Sequence, residues 1–177
     1  CKEHHIDAII AIGGDGTFRG ATDLSIRGIP TIGLPGTIDN DISSSEYTIG
    51  FDTAMNTVVK AADALRDTCE SHARCEVIEV MGNGAGYIAV ETGLACGADA
   101  IAVKELGFDS DACVAKLKAL REKGQRSFLI FVSESMGPEF GEALTARIKE
   151  EAGIDSRFVR LAHIVRGGSP TLRDRLT

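Results

Sequence analysis

Ile6-Asp7-Ala8-Ile9-Ile10-Ala11-Ile12 runs straight into Gly13-Gly14-Asp15-Gly16-Thr17. An isoleucine-rich run of this length, closed by glycines, reads as a buried strand. Residues 17–27 have helical composition and stop at Gly28, and residues 31–34 form a second short apolar run. Strand, glycine turn, helix and strand make a βαβ unit, which requires a parallel sheet.

The same alternation continues along the chain. Residues 35–47 are polar and rich in small side chains; a connection longer than about 12 residues is usually functional. A long helix is expected over 51–72, with Ala54, Val58, Ala61 and Leu65 on one face. Strands over 75–81, 100–103, 127–132 and 158–161 alternate with helices over 85–96, 109–123 and 139–151. Asp109 is a plausible N-cap for its helix. The expected class is α/β with helices on both faces of the sheet. Ligands in such folds sit at the carboxyl ends of the strands, and each glycine-rich or charged motif here falls just after a strand.

Composition narrows the function classes. Apolar residues make up 44% of the 177, enough for a sizeable core, and charged residues 25%, without long like-charge runs. The net charge of -7 opposes non-specific nucleic-acid binding, which needs a basic face. No apolar run approaches the roughly 20 residues of a membrane span, and no signal peptide is expected. Five cysteines with no C-x-x-C pair point away from zinc or a disulfide framework and toward a reducing cytoplasm. Both ends read as cuts through an element, so a partner segment is expected.

Two loops carry the chemistry. In Gly13–Thr17 the glycines let backbone approach a phosphate, and the following helix offers free N–H groups. A carboxylate there suits a phosphate only through an intervening cation, and magnesium binds through one or two carboxylates plus phosphate oxygens. Asp15 is therefore a metal candidate, with Gly14, Gly16 and Thr17 as nucleotide contacts; the plainer reading is a capped tight turn. NAD kinases and diacylglycerol kinases carry similar loops. In Pro35-Gly36-Thr37-Ile38-Asp39-Asn40-Asp41, Asp39 could take a proton from an attacking hydroxyl and Asp41 could help hold magnesium. A carboxylate with an ordinary pKa near ~3.9 is a weak base, which a loose phosphoryl-transfer transition state tolerates.

Together, G-G-D-G-T and P-G-T-I-D-N-D in this order resemble the phosphofructokinase family, bacterial type. The resemblance implies a two-lobed, parallel-sheet, Rossmann-like fold, here incomplete at both ends. Residues 1–50 plus 165–177 would belong to the nucleotide lobe and 51–164 to the sugar-phosphate lobe. It implies Asp39 as catalytic base, Thr37 lining the approach with Ile38 beside it, and Asp15 on magnesium. Met81-Gly82 is similar to the family's M-G-R sugar contact, with Asn83 in the arginine position. Glu134 matches a glutamate for a sugar hydroxyl, and His163-Ile164-Val165-Arg166-Gly167-Gly168-Ser169-Pro170 matches H-I-Q-R-G-G-x-P. Arg157 matches a phosphate-binding arginine, and Arg74 one contributed across a subunit interface. Arg74, Arg157, His163 and Arg166 would jointly supply the cation cluster that a sugar phosphate needs.

The implied reaction moves the γ-phosphoryl of MgATP to the 1-hydroxyl of fructose 6-phosphate. Pyrophosphate users of the family tend to carry aspartate at the position of Gly16 and lysine at that of Gly36; glycine at both implies ATP. Arg66, Gly97, Asp99, Lys123 and Arg126 fall where bacterial members bind ADP or phosphoenolpyruvate as effectors. Gln125 and Ser127 replace basic residues there, which implies a weaker or altered response. A homotetramer is implied for the full-length protein, and no turnover is expected of residues 1–177 alone. The alternatives are a pyrophosphate- or mixed-donor enzyme, a non-catalytic sugar-phosphate-binding module, and, more distantly, a NAD or lipid kinase.

Overall fold

The computed structural model describes residues 1–177, Lys2's side chain excepted. Seven strands alternate with six α-helices. They are β1 (Ile9–Gly13), α1 (Asp15–Ile26), β2 (Thr31–Thr37), β3 (Ile49–Gly50), α2 (Phe51–His72), β4 (Cys75–Val80), α3 (Tyr87–Ala95), β5 (Ala100–Ala102), α4 (Ser110–Glu122), β6 (Phe128–Ser133), α5 (Phe140–Glu151), β7 (Ser156–Arg160) and α6 (Leu172–Leu176). Every strand pair is parallel. The strands form two sheets, ordered β1-β2-β3 and β5-β6-β4-β7.

The larger sheet is the core. Its central strands β4 and β6 are buried at every residue, as expected of a parallel sheet covered on both faces. Alternate side chains of β6 go to opposite layers. Leu129 and Phe131 join Val58, Ala62 and Ile88 of α2 and α3. Phe128, Ile130 and Val132 join Leu117, Leu144 and Ile148 of α4 and α5. This period-two split is what a strand must do between two helical layers. Asp109 caps α4 as expected, its carboxylate accepting from the Ala112 N–H at 2.9 Å.

The smaller sheet is covered by α1, whose Phe18 ring packs so close to β2 that a Cβ on Gly33 would lie 2.8 Å from it. Its strand β2 continues through Pro35 to Thr37, where a loop had been expected from Pro35, because Gly36 and Thr37 pair with Ile49 and Gly50 of β3. The true loop therefore begins at Ile38, next to the motif's first carboxylate.

The chain's last segment docks on the start of α2. Asp174 accepts from the Gly50 N–H at 2.9 Å, the Thr53 N–H at 2.8 Å and the Thr53 hydroxyl. Thr57 Oγ1 donates to the Gly167 carbonyl at 2.7 Å, and Arg173 stacks 3.3 Å over the Tyr47 ring. These contacts fix the stretch that follows Arg166.

Candidate active site

The glycine loop and the aspartate loop lie side by side at the carboxyl ends of β1 and β2, because Gly13 is paired with Pro35. Gly14 faces the Thr37 side chain so closely that a Cβ would come within 3.3 Å. A Cβ on Gly13 would collide with Thr17 Oγ1, so the turn is closed by contacts that only glycine permits. Gly16 faces open space. At Gly36 a Cβ would already meet the Ile12 side chain at 3.0 Å, so a larger residue there would press on that side chain.

Asp39 is held in a short turn, its N–H donating to Thr37 Oγ1 at 3.2 Å. Asn40, in the left-handed region at φ 51°, ties down the rest of the loop. Its Oδ1 accepts from the Thr48 N–H at 3.0 Å and its Nδ2 donates to the Glu46 carbonyl at 3.4 Å. Burial pushes the Asp39 carboxyl up, and the nearby charges of Asp41 and Glu134 push it further; the Thr37 hydroxyl and Arg166 pull it back. Asp41, Glu134 and Arg166 come from three separate parts of the chain, and all act on Asp39. Asp15 stands at the start of α1 and pairs with Arg19 at 2.7 Å. Asp41 has one carboxylate oxygen buried without a hydrogen-bond partner.

The second group of expected site residues lies at the carboxyl ends of β4, β6 and β7. Glu134 follows β6 and accepts through Oε1 from the Gly82 N–H at 3.1 Å and the Asn83 N–H at 2.7 Å. The 82–83 turn, with positive φ at both residues, is thus pinned by the same carboxylate expected to read a hydroxyl. Ala162 sits at φ 46°, a conformation easiest for glycine, and starts the short helical turn Ala162–Arg166. Buried Val165 anchors this turn in the core, leaving His163 and Arg166 exposed. A cavity of about 150 Å³ is lined by Met81, Glu134 and His163, and also by Glu79 and Arg160.

The expected four-member cation cluster does not form within one chain. Arg74 precedes β4 and Arg157 lies early in β7, beside Glu76 in the ladder. Both therefore sit at the amino edge of the sheet, about 20 Å from Met81 at ~3.3 Å per residue. There they share Asp155, Arg157 at 2.7 Å and Arg74 at 3.6 Å, next to buried Glu76. His163 and Arg166 stay with the cleft. The strand direction is the reason: residues before and after one strand lie at its two opposite ends.

The residues expected to hold an effector fall in two linked groups. Arg66 donates to the Cys96 carbonyl, beside Gly97 at φ 63°. Asp99 spends both carboxylate oxygens internally, accepting from Gln125 Nε2 at 2.8 Å and the Leu129 N–H at 2.9 Å. Lys123 caps the end of α4, and Arg126 lines a cavity of about 300 Å³ with Arg121 and Gln125.

Glu79 and Arg160 were not singled out from the sequence. The available signal was a glutamate inside the apolar strand Cys75–Val80. Among the described residues, no group of three or more His, Cys, Asp or Glu side chains forms a ready-made metal cage.

Comparison with known proteins identifies the family. The chain is 49% identical to the ATP-dependent 6-phosphofructokinase of Brevibacillus brevis over 177 residues, 99% of this chain and 54% of that protein. It is 50% identical over 175 residues to the enzyme of the same name from Listeria welshimeri, again 99% and 54%. It thus spans about half the length of the curated relatives it matches. The crystal structure of Pichia pastoris phosphofructokinase in the T-state superposes with a TM-score of 0.91 at 30% identity, covering 99% of this chain and 20% of that one. The family model described as Phosphofructokinase matches residues 1–177, and the chain belongs to the phosphofructokinase family.

Proposed function

We propose that this chain forms the aspartate loop and the sugar-phosphate cradle of an ATP-dependent 6-phosphofructokinase. The carrying observation is Asp39: a positioned, part-buried carboxylate between a glycine loop on one side and Glu134 and Arg166 on the other. In this reading the 1-hydroxyl oxygen of fructose 6-phosphate bonds to the γ-phosphorus of ATP as the β–γ bridging P–O bond breaks. ADP departs and Asp39 accepts the hydroxyl proton. An upward-shifted carboxyl suits that role, since a stronger base is still ionised at neutral pH. Thr37 holds the Asp39 backbone, and Ile38 lines the approach.

The residues fit a magnesium ion. Asp15 and Asp41 offer hard oxygen donors on adjacent loops, and Asp41 carries an unpartnered buried oxygen; magnesium needs one or two such carboxylates besides phosphate. Bound there it would screen the charge of the donor phosphates. Open space at Gly16 and glycine at Gly36 support ATP over pyrophosphate, the runner-up donor.

The separation of Arg74 and Arg157 from the cleft supports a second copy of the chain supplying them in trans, and with it a homo-oligomer. Lobes of 1–50 with 165–177 and of 51–164 remain our division. Asp174 bonds Gly50 of the first lobe and Thr53 of the second, so α6 bridges the two. Asp99's internal bonds favour a weakened response to ADP or phosphoenolpyruvate. All five cysteines are free and four are buried, in keeping with a reducing cytoplasm. No helix among the described residues is long and apolar enough to cross a membrane.

The test is turnover by the complete polypeptide with MgATP and fructose 6-phosphate, followed as ADP and fructose 1,6-bisphosphate. Sugar binding without product would favour a non-catalytic module, and product only from pyrophosphate would favour the other donor.

A further inference from the structure

Glu79 and Arg160 are directly paired in the ladder between β4 and β7. Arg160 Nε donates to Glu79 Oε1 at 2.5 Å, and the glutamate side chain is only 7% exposed against 44% for the arginine. Arg160 also donates through Nη2 to the Pro138 carbonyl at 2.8 Å, in the loop that follows Glu134. One guanidinium thus ties together the ends of three strands, those that carry Met81, Glu134 and His163. Glu79 Oε2, by contrast, is buried with no hydrogen-bond partner, and Glu79 lines the same cavity as those three residues. An unmet buried acceptor costs about 1–3 kcal/mol.

The chemistry of the cavity says what would meet it. Arg160 already neutralises Glu79, so a further cation is not required. A phosphate is disfavoured at this end, where Glu79 and Glu134 both present carboxylates; the exposed Arg166 and His163 suit it better. What remains is a neutral donor, an O–H. We propose that Glu79 is a specificity-determining residue of the sugar pocket, with Oε2 accepting a hydrogen bond from a ring hydroxyl of the sugar phosphate and Arg160 acting as its positioning residue. The proposal rests on the kinase reading of the site.

The test uses the complete polypeptide with MgATP, fructose 6-phosphate and analogues lacking one ring hydroxyl each. Glu79→Gln keeps the shape and one acceptor. It should raise the sugar KM about tenfold while the KM for ATP stays unchanged. It should also abolish the penalty that the wild type imposes on one particular deoxy analogue. Arg160→Lys, at a half-exposed site, should raise the sugar KM about threefold with the same analogue selectivity, and it carries the test alone if Glu79→Gln does not fold. An unchanged sugar KM in both variants, or an equal rise for every sugar, overturns the inference and leaves the kinase reading intact. Failure of the wild type to phosphorylate fructose 6-phosphate overturns both.

Discussion

The two sheets are both parallel but sit in different environments. In β5-β6-β4-β7 the isoleucines, valines and phenylalanines of the central strands are sealed between α2–α3 and α4–α5. In β1-β2-β3, α1 covers one face, and Ile10, Ile12 and Ile32 on the other are 65%, 66% and 64% exposed. Yet the second sheet carries the aspartate and glycine loops, where reaction chemistry would sit. The better-packed sheet carries the residues proposed to hold substrate. Stability and chemistry are thus unevenly divided across the chain, and substitutions in the two sheets should fail in different ways.

The largest expected effect falls on chemistry alone. Asp39→Asn in the complete polypeptide should lower turnover by about 10²–10⁴-fold, the usual worth of a general base, with the sugar KM and the thermal midpoint near wild type. Equal losses in kcat and in sugar affinity would argue against the base role. Because burial and then Asp41 and Glu134 raise the Asp39 carboxyl, the acid limb of kcat/KM should lie above the ordinary value near ~3.9. Asp41→Asn should move that limb to lower pH, and an unmoved limb would assign it to another group.

The mirror-image case is Phe131→Ala in β6. Its ring is fully buried in the α2–α3 layer, and truncating a core phenylalanine costs about 3–5 kcal/mol. Denaturant unfolding should show that loss. A cost below about 1 kcal/mol would mean that the larger sheet is not the rigid half.

The alternation of strands and helices was legible because each element had its own period and punctuation, as Asp109 before α4 illustrates. The extension of β2 through Pro35–Thr37 was not, since glycine and proline normally end strands and only pairing with β3 overrides them. Asp39, Glu134, His163 and Arg166 were recognisable from motif spacing, and they do converge. Where Arg74 and Arg157 lie was not legible, because a motif records sequence neighbourhood and not which end of a strand a residue occupies. Glu79 was hidden because a glutamate in a strand that also holds Glu76 gives no sign of its partner on β7, more than 80 positions away.

A smaller effect lies where the halves are stapled. Burial alone would push the Asp174 carboxyl up, but the Thr53 hydroxyl and the Gly50 and Thr53 N–H groups, with Arg173, hold it below its ordinary value. A depressed folded pKa contributes stability that is present above the unfolded value and lost as pH falls through the folded one. The docking of α6 should therefore weaken below about pH 4. Asp174→Asn should cost about 1–2 kcal/mol at neutral pH, as loss of a helix cap does, and should flatten that acid dependence. An unchanged acid profile would show that another carboxylate carries it.

The smallest effect should come from the open face. Ile10→Thr keeps β-branching while removing apolar surface that α1 does not touch. In residues 1–177 it should change unfolding free energy by no more than about 0.5 kcal/mol, as for other exposed positions. The same substitution in the complete polypeptide asks a different question. A cost of about 1–3 kcal/mol there, typical of burying such a side chain, would show that another segment lies on Ile10, Ile12 and Ile32. The contrast between the sheets would then belong to this portion of the chain. A cost that stays near zero in both would make the one-sided sheet a property of the whole molecule, with the chemistry-bearing loops standing on its thinner layer.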